Sequence, residues 1–97
     1  MRIIAKSTLK NYWEQNPDCK QALLSWYKVA RQSRWQKVSE IKNHFGTCKN
    51  IGKDRIIFKI KGNKYRLIVK ITFTNQIIWI GFIGTHSEYD SINAKEI

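Results

Sequence analysis

Arg66 and His86 are the two side chains of this 97-residue sequence best suited to chemistry on a phosphodiester. They lie in the run Lys61 to Asp90, KGNKYRLIVKITFTNQIIWIGFIGTHSEYD, which reads as turn, strand, turn, strand and exit. A strand guanidinium grips phosphate oxygens through two parallel N–H donors and steadies the extra charge of a pentacoordinate phosphorane. His86 follows Gly84 and Thr85, small residues at a strand end that leave room for a substrate. Its imidazole moves protons near neutrality, as acid or base. Each residue also has a plainer reading: a solvated strand arginine paired with a carboxylate, and a histidine bonded to backbone at a strand exit.

Together they fit RNA cleavage without a metal. The 2′-OH is the internal nucleophile, a base removes its proton, a cation steadies the phosphorane and an acid protonates the leaving 5′-oxygen. DNA has no 2′-OH, so the scheme implies RNA specificity. Arg66 is the charge stabiliser and His86 the acid or base. Lys59, Lys61 and Lys64 flank the Gly62-Asn63 turn, where they bind neighbouring phosphates or merely keep a hairpin tip soluble. Lys61 or Lys64 serves as a base only if nearby cations depress its pKa. Tyr89 stacks on a base or covers the core, and Tyr89 and Asp90 follow His86 closely enough to orient it. There is no G-x-G-x-x-G, P-loop, H-E-x-x-H or carboxylate pair. Cys19, Cys48, His44 and His86 show no ligand spacing, so no metal or cofactor is expected.

The elements that must position these residues follow from periodicity. Tyr65, Leu67, Val69, Ile71 and Phe73 alternate with Lys64, Arg66, Lys70 and Thr72, the period of a half-buried strand with one cationic face. Arg55 to Ile60 pairs with it across Gly62-Asn63, whose residues tolerate positive φ. Ile77 to Ile83 is nearly all apolar, as in a central strand covered on both sides. Arg2 to Ala5 is a small first strand. Ser7 is expected to cap a helix bearing Leu9, Tyr12 and Trp13. Asn16-Pro17-Asp18 starts a second helix with an apolar stripe of Cys19, Ala22, Leu23, Trp26, Tyr27 and Ala30. Ser39 caps a short helix over Glu40 to Phe45, and Thr47 to Ile51 forms a short strand. Glu88 onward is a polar exit with a helical turn and a frayed tail.

The expected class is α+β in one domain, 1–97, with the helix pair packed on one face of a mainly antiparallel sheet. The other face is expected to stay open and to carry Arg55, Lys59, Lys64, Arg66 and Lys70. The 42% hydrophobic content argues for a packed core. Eighteen Lys and Arg against seven Asp and Glu leave +11, a charge suited to a polyanionic partner. That charge is spread over helices and strands, not gathered on one amphipathic helix, which argues against a membrane surface. No apolar run suits a signal peptide or a membrane span, and Cys19 and Cys48 read as free thiols, so the expected location is cytoplasmic.

Arg2-Ile3-Ile4, Trp26-Tyr27-Lys28, GNKYRL from Gly62 to Leu67 and FIGTHSEYD from Phe82 to Asp90 give the chain its likeness. It resembles the HigB toxins of type II toxin–antitoxin systems, within the RelE/ParE superfamily, over essentially its whole length. The resemblance implies a RelE-like fold, a twisted antiparallel sheet with two N-terminal helices on one face. It implies an endoribonuclease, an mRNA interferase cutting messenger RNA in the ribosomal A site. The implied partner is a HigA-like antitoxin with a helix-turn-helix domain, and the toxin is expected to be monomeric within a hetero-oligomeric complex that represses its own operon. Arg66 and His86 fall at the superfamily's catalytic places, with Lys64 and Tyr89 in binding or supporting roles. Two other functions fit the same charge pattern: a non-catalytic RNA- or ribosome-binding inhibitor of translation, and a ParE-like gyrase poison.

Overall fold

The structure, a computed structural model, describes residues 1–97. In chain order it holds β1 (Arg2–Ile4), α1 (Lys6–Gln15), a 3-10 turn (Pro17–Cys19), α2 (Lys20–Gln32), α3 (Val38–His44), β2 (Lys49–Gly52), β3 (Arg55–Ile60), β4 (Tyr65–Thr72), β5 (Ile77–Thr85), α4 (His86–Asp90) and a second 3-10 turn (Ala94–Glu96). The class is α+β, as the order of elements implies. The five strands run β1-β5-β4-β3-β2, antiparallel throughout except that β1 lies parallel to β5. No helix is long and apolar enough to cross a membrane.

The core sits between the helices and one face of the sheet. Leu23, Trp26 and Ala30 of α2, preceded by Cys19, are all but fully buried at spacings of three and four. They meet Ile56, Phe58 and Ile60 of β3 and Leu67, Val69 and Ile71 of β4. Trp26 and Phe45 each pack edge-on against Phe58, ring centroids 5.3 Å apart. The Met1 amine donates to the carbonyls of Arg31 at 2.8 Å and Ser33 at 2.6 Å, placing a cation on the negative end of α2.

The second face is less open than its alternation implies. Ile57 and Ile68 lie on it and are buried. The segment after β5 folds back across this face. Its last 3-10 turn packs against β2, and the Arg55 guanidinium donates twice to the Ile97 backbone oxygen, at 3.0 and 2.7 Å. The Ile97 side chain fills the space left by Gly81, at the bulge where β5 slips register against β4. The tail is therefore docked, because a bulge glycine and a strand arginine give it a seat.

Local starts differ from expectation at the helices. Ser7 and Ser39 cap nothing: α1 begins after Ala5 and α3 after Lys37, neither with a side-chain cap bond. α3 starts at Val38, which packs against the core, whereas α1 runs three exposed residues before its first buried one, Leu9. The turn between β3 and β4 takes positive φ at Lys61 and Gly62, not at Gly62 and Asn63. The last helix starts earlier than expected, at His86, because Thr85 and Glu88 form a reciprocal capping box.

Candidate active site

Arg66 pairs with Lys59 of β3 and with Gly84 of β5, in the middle of the sheet. It is the one charged residue that is buried, at 7% exposure. No carboxylate answers it: the ion pairs of the molecule involve Asp18 and Asp90 only. Its Nη1 donates to the Asn63 carbonyl at 2.9 Å and, weakly, to that of Tyr65 at 3.5 Å. Two carbonyls cannot satisfy five N–H donors, and a buried cation without a counter-charge is costly. The remaining donors are left free for a ligand at the cleft that Arg66 lines.

That cleft has a volume of about 300 Å³ and is lined by Thr47, Lys49, Ile57, Lys59, Arg66 and Tyr89. Three cations, one phenol and a hydroxyl surround an apolar floor, with no acidic group among them. Such a lining can hold a phosphate beside a stacking surface. Arg66, Lys59 and Tyr89, three of the residues singled out from sequence, meet here. Thr47 and Lys49 were missed. Lys49 is the register partner of Ile57, so it shares the face of Lys59, and working out how β2 pairs with β3 would have found it.

His86 does not line this cleft; it follows β5 two residues after Gly84, the register partner of Arg66. As the first residue of α4 it donates its backbone N–H to the Lys64 carbonyl at 3.2 Å. Its ring meets the Tyr89 ring edge-on at 6.4 Å, so Tyr89 bridges the imidazole and the basic cleft. His86 Nδ1 lies 3.0 Å from Asp90 Oδ2, one helical turn on, and the side chain is half exposed. With Nδ1 engaged by that carboxylate, Nε2 has no hydrogen-bond partner within the chain.

Lys61 and Lys64 go elsewhere. Both donate to Asp18 Oδ2, at 3.3 and 2.5 Å, on the helix side of the sheet, and the Tyr65 hydroxyl donates to Asp18 Oδ1. The hydrogen bond from Lys64, then that from Tyr65, holds the Asp18 carboxyl well below the usual carboxylate range. In return the bond to Asp18 raises the Lys64 ammonium, the opposite of the depression a lysine base needs. The alternation that assigned Lys64 to the cationic face fails because Lys64 precedes β4 and lies in the turn. Cys19 and Cys48 are free and buried, and burial pushes both thiols up, away from reactivity.

A twisted sheet backed by two helices, with a guanidinium cleft on its far face, defines the class as a RelE-like toxin. The family model for the HigB toxin, RelE-like toxic component of a toxin-antitoxin system, matches residues 19–92. The chain belongs to this HigB toxin family. Among its relatives is the mRNA interferase HigB of Escherichia coli strain CFT073, 27% identical over 94 residues, which span 95% of this chain and 91% of the relative. The mRNA interferase HigB of Shigella flexneri is 26% identical over 96 residues, 97% of this chain and 92% of its own.

Proposed function

We propose that this chain is the mRNA-cleaving toxin of its toxin–antitoxin pair and that the cleft around Arg66 is where the phosphodiester breaks. The observation that carries this reading is the buried Arg66 guanidinium, unpaired by any carboxylate, in a cleft that also holds Lys49, Lys59 and Tyr89. A scissile phosphate bound there gains the two-pronged contact that an acid would otherwise occupy. Charge on the phosphorane grows as the 2′-oxygen attacks, and a preorganised guanidinium stabilises that state more than the ground state. Lys49 and Lys59 hold the flanking backbone, and Tyr89 carries a neighbouring base on its ring. His86, across Tyr89 and oriented by Asp90, moves a proton at the 2′- or 5′-oxygen. No step requires a metal.

The wider setting follows the same chemistry. The whole chain, 1–97, acts as one domain, and the mRNA is cut while held in the ribosomal A site. The antitoxin partner is HigA-like, with a helix-turn-helix domain and an acidic surface to meet a toxin of net charge +11. The toxin is monomeric within that hetero-oligomer, and its work is in the cytoplasm.

The test is induced expression of wild type, Arg66→Ala and His86→Gln, with transcript 5′ ends mapped by primer extension. New ends with wild type and none with either variant are expected. Full cutting by both variants would place the site elsewhere. Stalled but uncut transcripts with wild type would mean a blocker, and DNA damage with intact mRNA a gyrase poison.

A further inference from the structure

The helix that carries His86 is too short to hold itself. α4 has five residues and buries none of them, whereas isolated helices below roughly 12 residues are marginal in water. Beside the backbone bond from His86 to Lys64 and the Glu88 N–H bond to Thr85 Oγ1, two bonds that end on one atom fix its first turn. Glu88 Oε1 accepts the Thr85 backbone N–H at 2.9 Å, closing the capping box, and also accepts the Tyr12 hydroxyl at 3.3 Å. Tyr12 belongs to α1, at the other end of the sequence. Its ring is braced edge-on by Tyr65 at 5.9 Å, and the Tyr65 hydroxyl is in turn held by Asp18. A continuous set of contacts therefore runs from the 3-10 turn before α2, through β4 and α1, to the turn that carries the imidazole.

We propose that Tyr12 and Glu88 are positioning residues for His86, setting the imidazole through the first turn of α4. The inference rests on the role given to His86 above. The donor and acceptor forms are the right ones near neutrality. Burial, then the Glu88 charge, pushes the Tyr12 phenol above its ordinary range, while the Thr85 N–H holds Glu88 below its own. Removing the Tyr12 hydroxyl takes away the tie to α1 and leaves the first turn of α4 held by the capping box and the His86–Lys64 backbone bond alone, which loosens it. A displacement of the imidazole by about 1 Å is enough to cost a large part of its catalytic effect.

The experiment measures cleavage of a defined mRNA in a cell-free translation mixture by purified toxin. Tyr12→Phe, Glu88→Ala and Glu88→Gln are each made alone and combined with His86→Gln. Tyr12→Phe is expected to lower kcat about 5- to 10-fold and Glu88→Ala about 30-fold, both with KM within about twofold of wild type. Glu88→Gln keeps an oxygen for both donors and is expected to stay within about threefold of wild type. In the His86→Gln background, Tyr12→Phe should cost nothing further. An equal loss in both backgrounds would make Tyr12 merely structural and overturn the proposal. So would a silent Tyr12→Phe beside a slow His86→Gln, which leaves the site assignment standing. A His86→Gln variant that cuts at the wild-type rate would overturn both. Where His86→Gln cuts too slowly to compare, imidazole 15N shifts of His86 decide: they should move in Tyr12→Phe, and unchanged shifts would overturn the proposal.

Discussion

Gly84 lies directly across the β4–β5 ladder from Arg66, and the ring of Phe82 is laid over that glycine. A Cβ on Gly84 would meet three atoms of the ring at 2.5 to 3.0 Å. The missing side chain is what lets Phe82 lie flat on the face that carries the guanidinium. Those ring atoms are the free edge of a side chain, so the ring can swing, at an overpacking cost of about 1–3 kcal/mol. Gly84→Ala is therefore expected to lower Tm by roughly 4–8 °C per kcal/mol lost and to slow cleavage as the ring crowds Arg66. Thermal melts beside cleavage rates check it, and an unchanged melt with unchanged cutting would show that the close fit has no consequence.

Arg66 should trade stability for function. A buried guanidinium without a carboxylate costs folding energy, so Arg66→Met, similar in length and apolar, is expected to raise Tm. The same change should lower mRNA cleavage by about 10²- to 10³-fold, the usual scale for losing one preorganised donor to a developing anion. Arg66→Lys keeps the charge without the planar fork and should remain at least about 10-fold below wild type. A destabilised Arg66→Met protein would mean that its bonds to Asn63 and Tyr65 outweigh its desolvation.

The strands were legible because their apolar residues repeat every second position and their turns carry Gly or Asn. Arg55–Ile60 emerges with the bounds and facing its alternation implies, and β4, Tyr65–Thr72, lies one residue inside each end of the alternating run from Lys64 to Phe73. Trp26 and Leu23 were legible as core for the same reason, at helical spacing. What periodicity cannot show is where a long side chain at an element's end will point. Lys64 sits one residue before β4, and a single acid on the 3-10 turn, Asp18, draws it and Lys61 to the other side of the sheet. Tyr12 fits the core stripe of α1 by spacing, yet its hydroxyl goes to Glu88, 76 positions away. Lys49 carried no local signal because its place depends on the pairing of β2 with β3. The docked tail was missed because its anchors, Arg55 and Gly81, look like an ordinary strand cation and an ordinary bulge glycine.

Trp26 has a more specific consequence for the core. Its indole Nε1–H is buried and has no acceptor. An unsatisfied buried donor costs about 1–3 kcal/mol, which a phenyl ring at the same place would not incur. Trp26→Phe also leaves a void, and the two effects oppose each other. The net change in unfolding free energy is expected to stay within about 1 kcal/mol, against about 3–5 kcal/mol lost in Trp26→Ala. Urea titration of both variants checks this. A Trp26→Phe loss as large as that of the alanine variant would show that ring volume, edge-on to Phe58, dominates.

Asp18 sets the acid limb of stability. Hydrogen bonds from Lys64, Tyr65 and Lys61 lower its folded pKa, so the folded state binds this proton less readily than the unfolded chain. Its contribution is then fully present above the unfolded carboxylate value of about 4 and is lost as pH falls through the lowered folded value. The same pair seen from the ammonium has the opposite sense: the Lys64 pKa is raised, so its contribution holds below about 10.4 and fades as pH rises through the folded value. Asp18→Asn is expected to be less stable than wild type by an amount that is flat between about pH 5 and pH 9. The gap should shrink below about pH 4 and again in strong alkali. Paired urea titrations across that range measure it. Because Asp18 also ends the contacts through Tyr65 to Tyr12, the variant should loosen α4 and slow cleavage at neutral pH, where its charge is fully developed. A gap that stays constant down to pH 2 would show that the shape of the hairpin, and not the Asp18 charge, ties the two lysines to the helix layer.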